Sequence, residues 1–267
     1  MVSLSDAALL KAVQARDGAA IDQLLSRYEQ RVYRFGLRMC GNEADARDVL
    51  QETLLAAFRH LDGFREQASL STWLYQVARS FCIKQRRRTV GEPARLESME
   101  AHEVQQLVDQ HPAADARAHA AEMGRLIQQA MLALPAEQRE VLVLRDVEGL
   151  SAEEAAAVLE LEVGALKSRL HRARMALKNQ LATLLKEPAD SGACPDLQLE
   201  LAAYAASEID QAACERLEKH LSTCPQCSAA CDSLKRSVSM CRQLPGGKVP
   251  DSVREAVRSA LVQLTLP

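Results

Sequence analysis

The chain has 267 residues, room for two or three modest domains, with a formal net charge of −3 and 26 % charged residues. That balance excludes a generally basic nucleic-acid coat, so any nucleic-acid surface must be local. No apolar run reaches the roughly 18–20 residues that cross a bilayer, and Met1 to Asp22 lacks a signal-peptide pattern, so the expected location is the cytoplasm with no membrane partner. The rare residues are segregated: eight of nine aromatics lie between Tyr28 and Phe81, and six of eight cysteines follow residue 193. Separate modules are implied.

Proline and glycine are few and apolar residues recur at helical spacing, which predicts an all-α fold. The first module is expected over residues 5–88, with Leu24, Leu25, Tyr28, Val32, Tyr33 and Phe35 on one helix and Phe58 and Phe64 continuing the core. Cys40 and Cys82 sit singly here and read as core residues. The run Ser71 to Ser80 leads directly into Phe81-Cys82-Ile83-Lys84-Gln85-Arg86-Arg87-Arg88, placing aromatic and basic groups on one helix. Rings that stack on unpaired bases and cations that hold phosphates suit single-stranded nucleic acid, while core packing is the better account of Trp73 and Phe81 taken singly. Glycine and proline at Gly91 and Pro93 then open an acidic connector over 89–118, with a helix resuming near Ala118.

A second module is expected over 119–186. Pro135 opens a helix with Val141, Leu142, Leu144 and Val147 on its buried face, and Gly149 ends it. Ser151 and Glu154 have capping-box spacing for a short helix through Leu159. A third helix runs from about Val163 to Leu181. From Glu162 to Lys186 there are six basic residues and one acidic, whereas Leu134 to Leu161 holds two basic and seven acidic. A short capped helix, a tight turn and a basic helix describe a helix-turn-helix that reads duplex DNA, or a small bundle with one solvated basic face.

These segments together resemble the extracytoplasmic-function sigma factors of bacterial RNA polymerase. The resemblance is carried by Asp45 to Thr53, by Ser71-Thr72-Trp73-Leu74 through Ala78-Arg79, and by Leu134-Pro135, Gln138-Arg139, Leu144 to Ser151, Glu154, Lys167-Ser168-Arg169-Leu170 and Arg172-Ala173-Arg174. It covers roughly residues 5–186. It implies that Asp45, Asp48, Gln51 and Glu52 dock on the polymerase core, against its beta-prime and beta subunits. It further implies that Trp73, Arg79, Ser80, Arg86, Arg87 and Arg88 melt and read the −10 element, and that Lys167, Ser168, Arg169, His171, Arg172 and Arg174 read the −35 duplex. Ser80, Lys84, Glu162 and the pair Ala165-Leu166 depart from residues common in the family.

The third module, expected over 190–242, holds Cys194, Cys214, Cys224, Cys227, Cys231 and Cys241. His220 precedes Cys224-Pro225-Gln226-Cys227, a two-thiolate knuckle, and Cys194 completes a tetrahedral zinc set if the intervening helices fold as a hairpin. Reduced thiols without an ion are the alternative. The pattern resembles the zinc-binding anti-sigma domain, with helices over Asp196 to Tyr204 and Glu208 to Leu221. Cys214, Cys231 and Cys241 lie outside this set and read as sensor thiols, for copper, cadmium or an oxidant, or as buried packing residues. An amphipathic helix follows over 248–264, with Val253, Val257, Leu261 and Leu264 on one face.

Phosphate-cradling loops, nucleophile elbows and helical zinc-protease motifs are absent from the sequence, so no enzyme is expected. The expectation is a sigma factor regulated in cis by a metal- or redox-responsive tail. Two alternatives stand beside it: a sigma factor whose zinc is only structural, and a metal-storage protein whose helices are a scaffold.

Overall fold

The computed structural model describes residues 5–15, 17–60, 69–91, 112–186, 193–244 and 248–265, and its side chains except at 86–91, 112–120 and 261–265. All regular structure among the described residues is helical. The residues divide into two units: Met1–Val104 with Ala157–Glu160 and Gly246–Pro267, and Gln105–Ala156 with Leu161–Pro245.

The first unit is built from α1 (Asp6–Gln14), α2 (Gly18–Cys40), α3 (Glu43–His60) and α4 (Leu70–Gly91). Ser5 and Asp17 cap α1 and α2 by accepting backbone N–H groups through their side chains. The three long helices pack on one another around Leu24, Tyr33, Phe35, Leu50, Leu54 and Leu74, all buried. Phe35 meets Tyr75 edge-on at 5.5 Å between ring centres, the arrangement that ring quadrupoles favour. A Cβ at Gly36 would stand 3.3 Å from Ala46 Cα, so the missing side chain lets α2 and α3 cross closely. Tyr28 donates its hydroxyl to Asp6 and ties α1 to α2. Phe64 lies outside the described residues.

A further helix, α12 (Asp251–Thr265), returns to this unit and packs on α3. Its Val253 and Val257 are buried as the amphipathic pattern requires; the side chains of Leu261 and Leu264 lie outside the described residues.

The second unit begins with α5 (Pro112–Leu132), which starts at a helix-initiating proline six residues before the expected Ala118. Most of the expected connector lies outside the described residues. Next come α6 (Ala136–Leu142), continued by a wider π-type turn over Val143–Val147, then α7 (Ala152–Leu159) and α8 (Val163–Leu185). Arg139 donates to the carbonyls of Leu132 at 2.9 Å and Leu134 at 3.1 Å, satisfying groups left free at the end of α5. Gly149 adopts φ +72° and stops the helix. The capping box forms: Glu154 accepts from the Ser151 N–H at 2.8 Å and its own N–H donates to Ser151 Oγ at 3.1 Å. Val141, Leu142 and Leu144 are fully buried, while Val147 is only half-buried.

The tail adds a 3-10 turn (Pro195–Leu197), α9 (Gln198–Ala205), α10 (Gln211–Leu221) and α11 (Pro225–Arg242). Leu201, Leu217, Cys227, Cys231 and Leu234 form its core, and Met175 of α8 packs against it. No helix among the described residues is long and apolar enough to cross a membrane.

Candidate polymerase, promoter and metal sites

On the first unit, Asp48, Val49, Gln51 and Glu52 of α3 and Phe81, Lys84 and Gln85 of α4 line a shallow cavity of about 350 Å³. Asp48 and Glu52 are exposed and Gln51 half-buried. Asp45 is placed differently from these three. It accepts from Gln85 Nε2 at 2.7 Å and Asn42 Nδ2 at 2.8 Å, so its carboxylate is engaged inside the module and joins α3 to α4.

Along α4, Trp73 and Arg79 are half-buried and Ser80 is exposed with its hydroxyl donating to the Val77 carbonyl at 2.7 Å. Arg86, Arg87 and Arg88 continue α4, and their side chains lie outside the described residues.

On α8, Lys167, Ser168 and Arg172 are exposed, and Arg169 and His171 half-buried. Arg169 lies 3.8 Å from Glu137, and Ser168 Oγ donates to the Gly164 carbonyl. Glu162 sits at the N-cap without a side-chain capping bond. Burial, helped by the nearby Arg174 charge, pushes the His171 imidazole below its ordinary range.

Arg174 has to be corrected. Its side chain is 1 % exposed and cannot reach a phosphate from this position. It donates to Asp146 through Nη2 at 2.6 Å and Nε at 2.9 Å, and through Nη1 to Glu208 at 2.6 Å. Glu208 also pairs with Arg145, whose other nitrogen donates to the Leu150 carbonyl. Burial would raise the Glu208 carboxyl, but the two arginines outweigh it and hold the group below the usual glutamate range. Arg145 and Asp146 stand in the sigma-like motif without a role read for them there, and Glu208 is a site residue that the sequence did not single out. The available signal was the spacing Leu170, Arg174, Leu177, Leu181, which puts Arg174 on the apolar stripe of α8.

The four expected metal ligands come together. The ligand atoms of Cys194, His220, Cys224 and Cys227 all lie within 4.8 Å of one another, and Cys194 Sγ is 3.7 Å from His220 Nε2. A tetrahedral zinc with ordinary Zn–S and Zn–N bonds spaces its ligands by about 3.5–3.8 Å, so this set fits zinc. Cys194 starts the domain, His220 ends α10, and Cys224 caps α11 with Pro225 in its first turn. The Cys194 N–H donates to Cys227 Sγ at 3.3 Å. The backbone N–H of Cys227 favours the Cys224 thiolate and lowers that thiol, whereas burial pushes Cys227 up to about 11. A buried thiol of that kind ionises readily beside a cation, and zinc would supply that charge.

The other three thiols are not brought into this set. Cys231 and Cys241 are buried, Cys231 within the apolar core, and burial pushes the Cys231 thiol up. Cys214 is half-buried and donates to Glu218 at 3.5 Å. Among the described residues no second group of metal-ligating side chains accompanies them.

Residues 24–91 match the family model for Sigma-70 region 2, residues 124–177 that for Sigma-70 region 4, and residues 194–228 a zinc-finger family model. The chain therefore carries the two promoter-directing regions of the sigma-70 class followed by a zinc-finger domain. It is 35 % identical over 180 residues to the ECF RNA polymerase sigma factor SigM of Mycobacterium tuberculosis, covering 67 % of this chain and 86 % of the relative. It is 32 % identical to the ECF RNA polymerase sigma factor SigW of Bacillus subtilis, covering 66 % of this chain and 96 % of the relative. Among solved structures, CnrH in complex with the cytosolic domain of CnrY matches at 26 % identity with a TM-score of 0.50, covering 68 % of this chain and 99 % of that one. This chain belongs to the ECF RNA polymerase sigma factors. It is a transcription-initiation factor, not an enzyme, with a zinc-finger tail fused behind its sigma regions.

Proposed function

We propose that the tail is a built-in inhibitor of the sigma modules, folded by zinc. The observation that carries this reading is Glu208, a tail residue that pairs with Arg174 and Arg145 of the helix-turn-helix module. The last helix, α12, supports it from the other unit, where it lies on α3, the helix that bears Asp48, Gln51 and Glu52.

In the active state the beta-prime and beta subunits of core polymerase engage α3 through Asp48, Gln51 and Glu52. Trp73, Arg79, Ser80 and the Arg86 to Arg88 run handle melted −10 DNA, and Lys167, Ser168, Arg169, His171 and Arg172 face the −35 duplex. Arg174 supports that reading helix from beneath. Cys194, His220, Cys224 and Cys227 hold the zinc, whose role is to tie three tail helices into one rigid body. Three thiolates and one imidazole suit zinc better than copper or cadmium in a site of this kind. Because the inhibitor is tethered, its effective concentration is on the order of millimolar.

Run-off transcription with core polymerase tests the reading. The full chain and a chain ended after Lys186 are compared on the promoter region upstream of this protein's own gene. Higher activity of the shorter chain is expected. Equal activity would remove the inhibitor role.

A further inference from the structure

Zinc would account for three of the eight thiols, burial in the second unit for Cys231 and Cys241, and the bond to Glu218 for Cys214. The two cysteines of the first module remain. They are separated by 42 positions in the chain, yet the fold sets their sulfurs 3.8 Å apart. Cys40 is the last residue of α2, followed by Gly41 in the left-handed conformation at φ 86°. Cys82 lies in α4 and is 2 % exposed, whereas Cys40 is partly open to solvent. Each observation alone is ordinary packing. Together they describe a reachable thiol beside a shielded one, joining two helices that hold no other covalent link.

We propose that Cys40 and Cys82 form an oxidisable dithiol, closed to a disulfide by a peroxide, within the polymerase and promoter module itself. The Cys40 thiolate attacks one peroxide oxygen; the O–O bond breaks, water leaves, and Cys40 becomes a sulfenic acid. The Cys82 thiolate then attacks Cys40 Sγ, the S–O bond breaks and a second water leaves as the S–S bond forms. In balance, two thiols lose two electrons and two protons, and the peroxide is reduced to two waters. Sulfurs in van der Waals contact must close to about 2.05 Å. Cys40 sits where its helix ends in a turn at Gly41, so the chain there can give without disturbing the middle of α4. The bridge fastens the end of α2 to α4 and encloses α3, fixing the walls of the cavity lined by α3 and α4.

The test uses the full-length zinc-loaded protein, treated with hydrogen peroxide, alkylated without reductant and cleaved with trypsin. Cleavage after Arg38, Arg47, Arg79 and Lys84 isolates Cys40 in residues 39–47 and Cys82 in residues 80–84, apart from every tail cysteine. The expected product is these two peptides joined and two hydrogens lighter than their sum, lost on reduction and absent from Cys40→Ser and Cys82→Ser. Cys82→Ala and helix content by circular dichroism guard against a misfolded control. Recovery of both thiols alkylated after the metal-ligand thiols have oxidised would overturn the proposal. So would recovery of Cys40 as a sulfinic acid, or paired with a tail cysteine.

Discussion

Arg174 holds Asp146 through two parallel hydrogen bonds of 2.6 and 2.9 Å, between side chains that are 1 % and 2 % exposed. The pair locks the turn after α6 to α8, and both charges are out of water. Removing one partner of a buried pair costs about 3–5 kcal/mol, and the lower end applies to Asp146, because Arg174 keeps its bond to Glu208. Asp146→Ala is therefore expected to lower the stability of the second unit by that amount in urea unfolding followed by helix signal. Glu208→Ala should cost less, because Glu208 is 20 % exposed and the Asp146 pair survives it. Equal losses from the two variants would show that the buried pair is not the anchor.

The parts of the molecule legible in the sequence are those written in short-range spacing. The Ser151 and Glu154 capping box, the stop at Gly149 after the π-type turn and the His-x3-Cys-x2-Cys knuckle all rest on residues within a few positions of one another. Cys194 lies 26 positions from His220 and joins them only through the fold-back of α9 and α10 between the two. The ion pairs were not legible. Arg174 meets Glu208 across 34 positions and Arg254 meets Glu29 across 225; helix register can place a charged side chain on a buried face but does not name its distant partner. The family resemblance puts Arg174 among the −35 readers, whereas its place in the apolar register of α8 puts it inside.

Zinc removal gives a second prediction. The tail core is small, and the Cys194, His220, Cys224 and Cys227 set joins the segment ahead of α9 to the end of α10 and the start of α11. Chelation, or Cys227→Ser, is expected to lose one bound zinc per chain and a large part of the α9 to α11 helix signal. Metal analysis and circular dichroism check it on one sample. Retention of full helix content without zinc would mean that apolar packing alone folds the tail.

Acid should loosen the contact between tail and helix-turn-helix in two stages. Burial and the Arg174 charge hold His171 below its ordinary value of about 6.5, so the neutral ring stabilises the fold above that value. This contribution declines as pH falls through 6.5 and is gone below the depressed folded value. Glu208 is also depressed: burial opposes this, but Arg174 and Arg145 prevail. Its contribution is full above the ordinary glutamate value and is lost at lower pH, as the folded group protonates. Stability measured from pH 7 downward should fall first in the histidine window, and His171→Gln should remove that stage alone. The Glu208→Gln variant should flatten the second.

Detaching α12 provides the sharpest functional prediction. Val257 is 1 % exposed and Val253 buried beside it, while Arg254 bonds the buried Glu29 at 2.6 Å. The Arg258 to Asp22 pair is exposed and adds at most about 1 kcal/mol. Among the described side chains, docking of α12 therefore rests chiefly on the valines and on Arg254. Val257→Asp loses the burial of one side chain and forces a carboxylate toward an apolar seat, a change of about 3 kcal/mol. A change of that size raises the undocked population on the order of a hundredfold. Limited trypsin digestion should then cut faster after Arg254 and Arg258, and binding to core polymerase should tighten. Arg254→Ala should also favour the undocked state, because it leaves the buried Glu29 carboxylate without this partner, and is read by cleavage after Arg258 alone, since the substitution removes the tryptic site at 254. Faster cleavage with unchanged polymerase affinity would show that α12 leaves the module readily but does not compete for it.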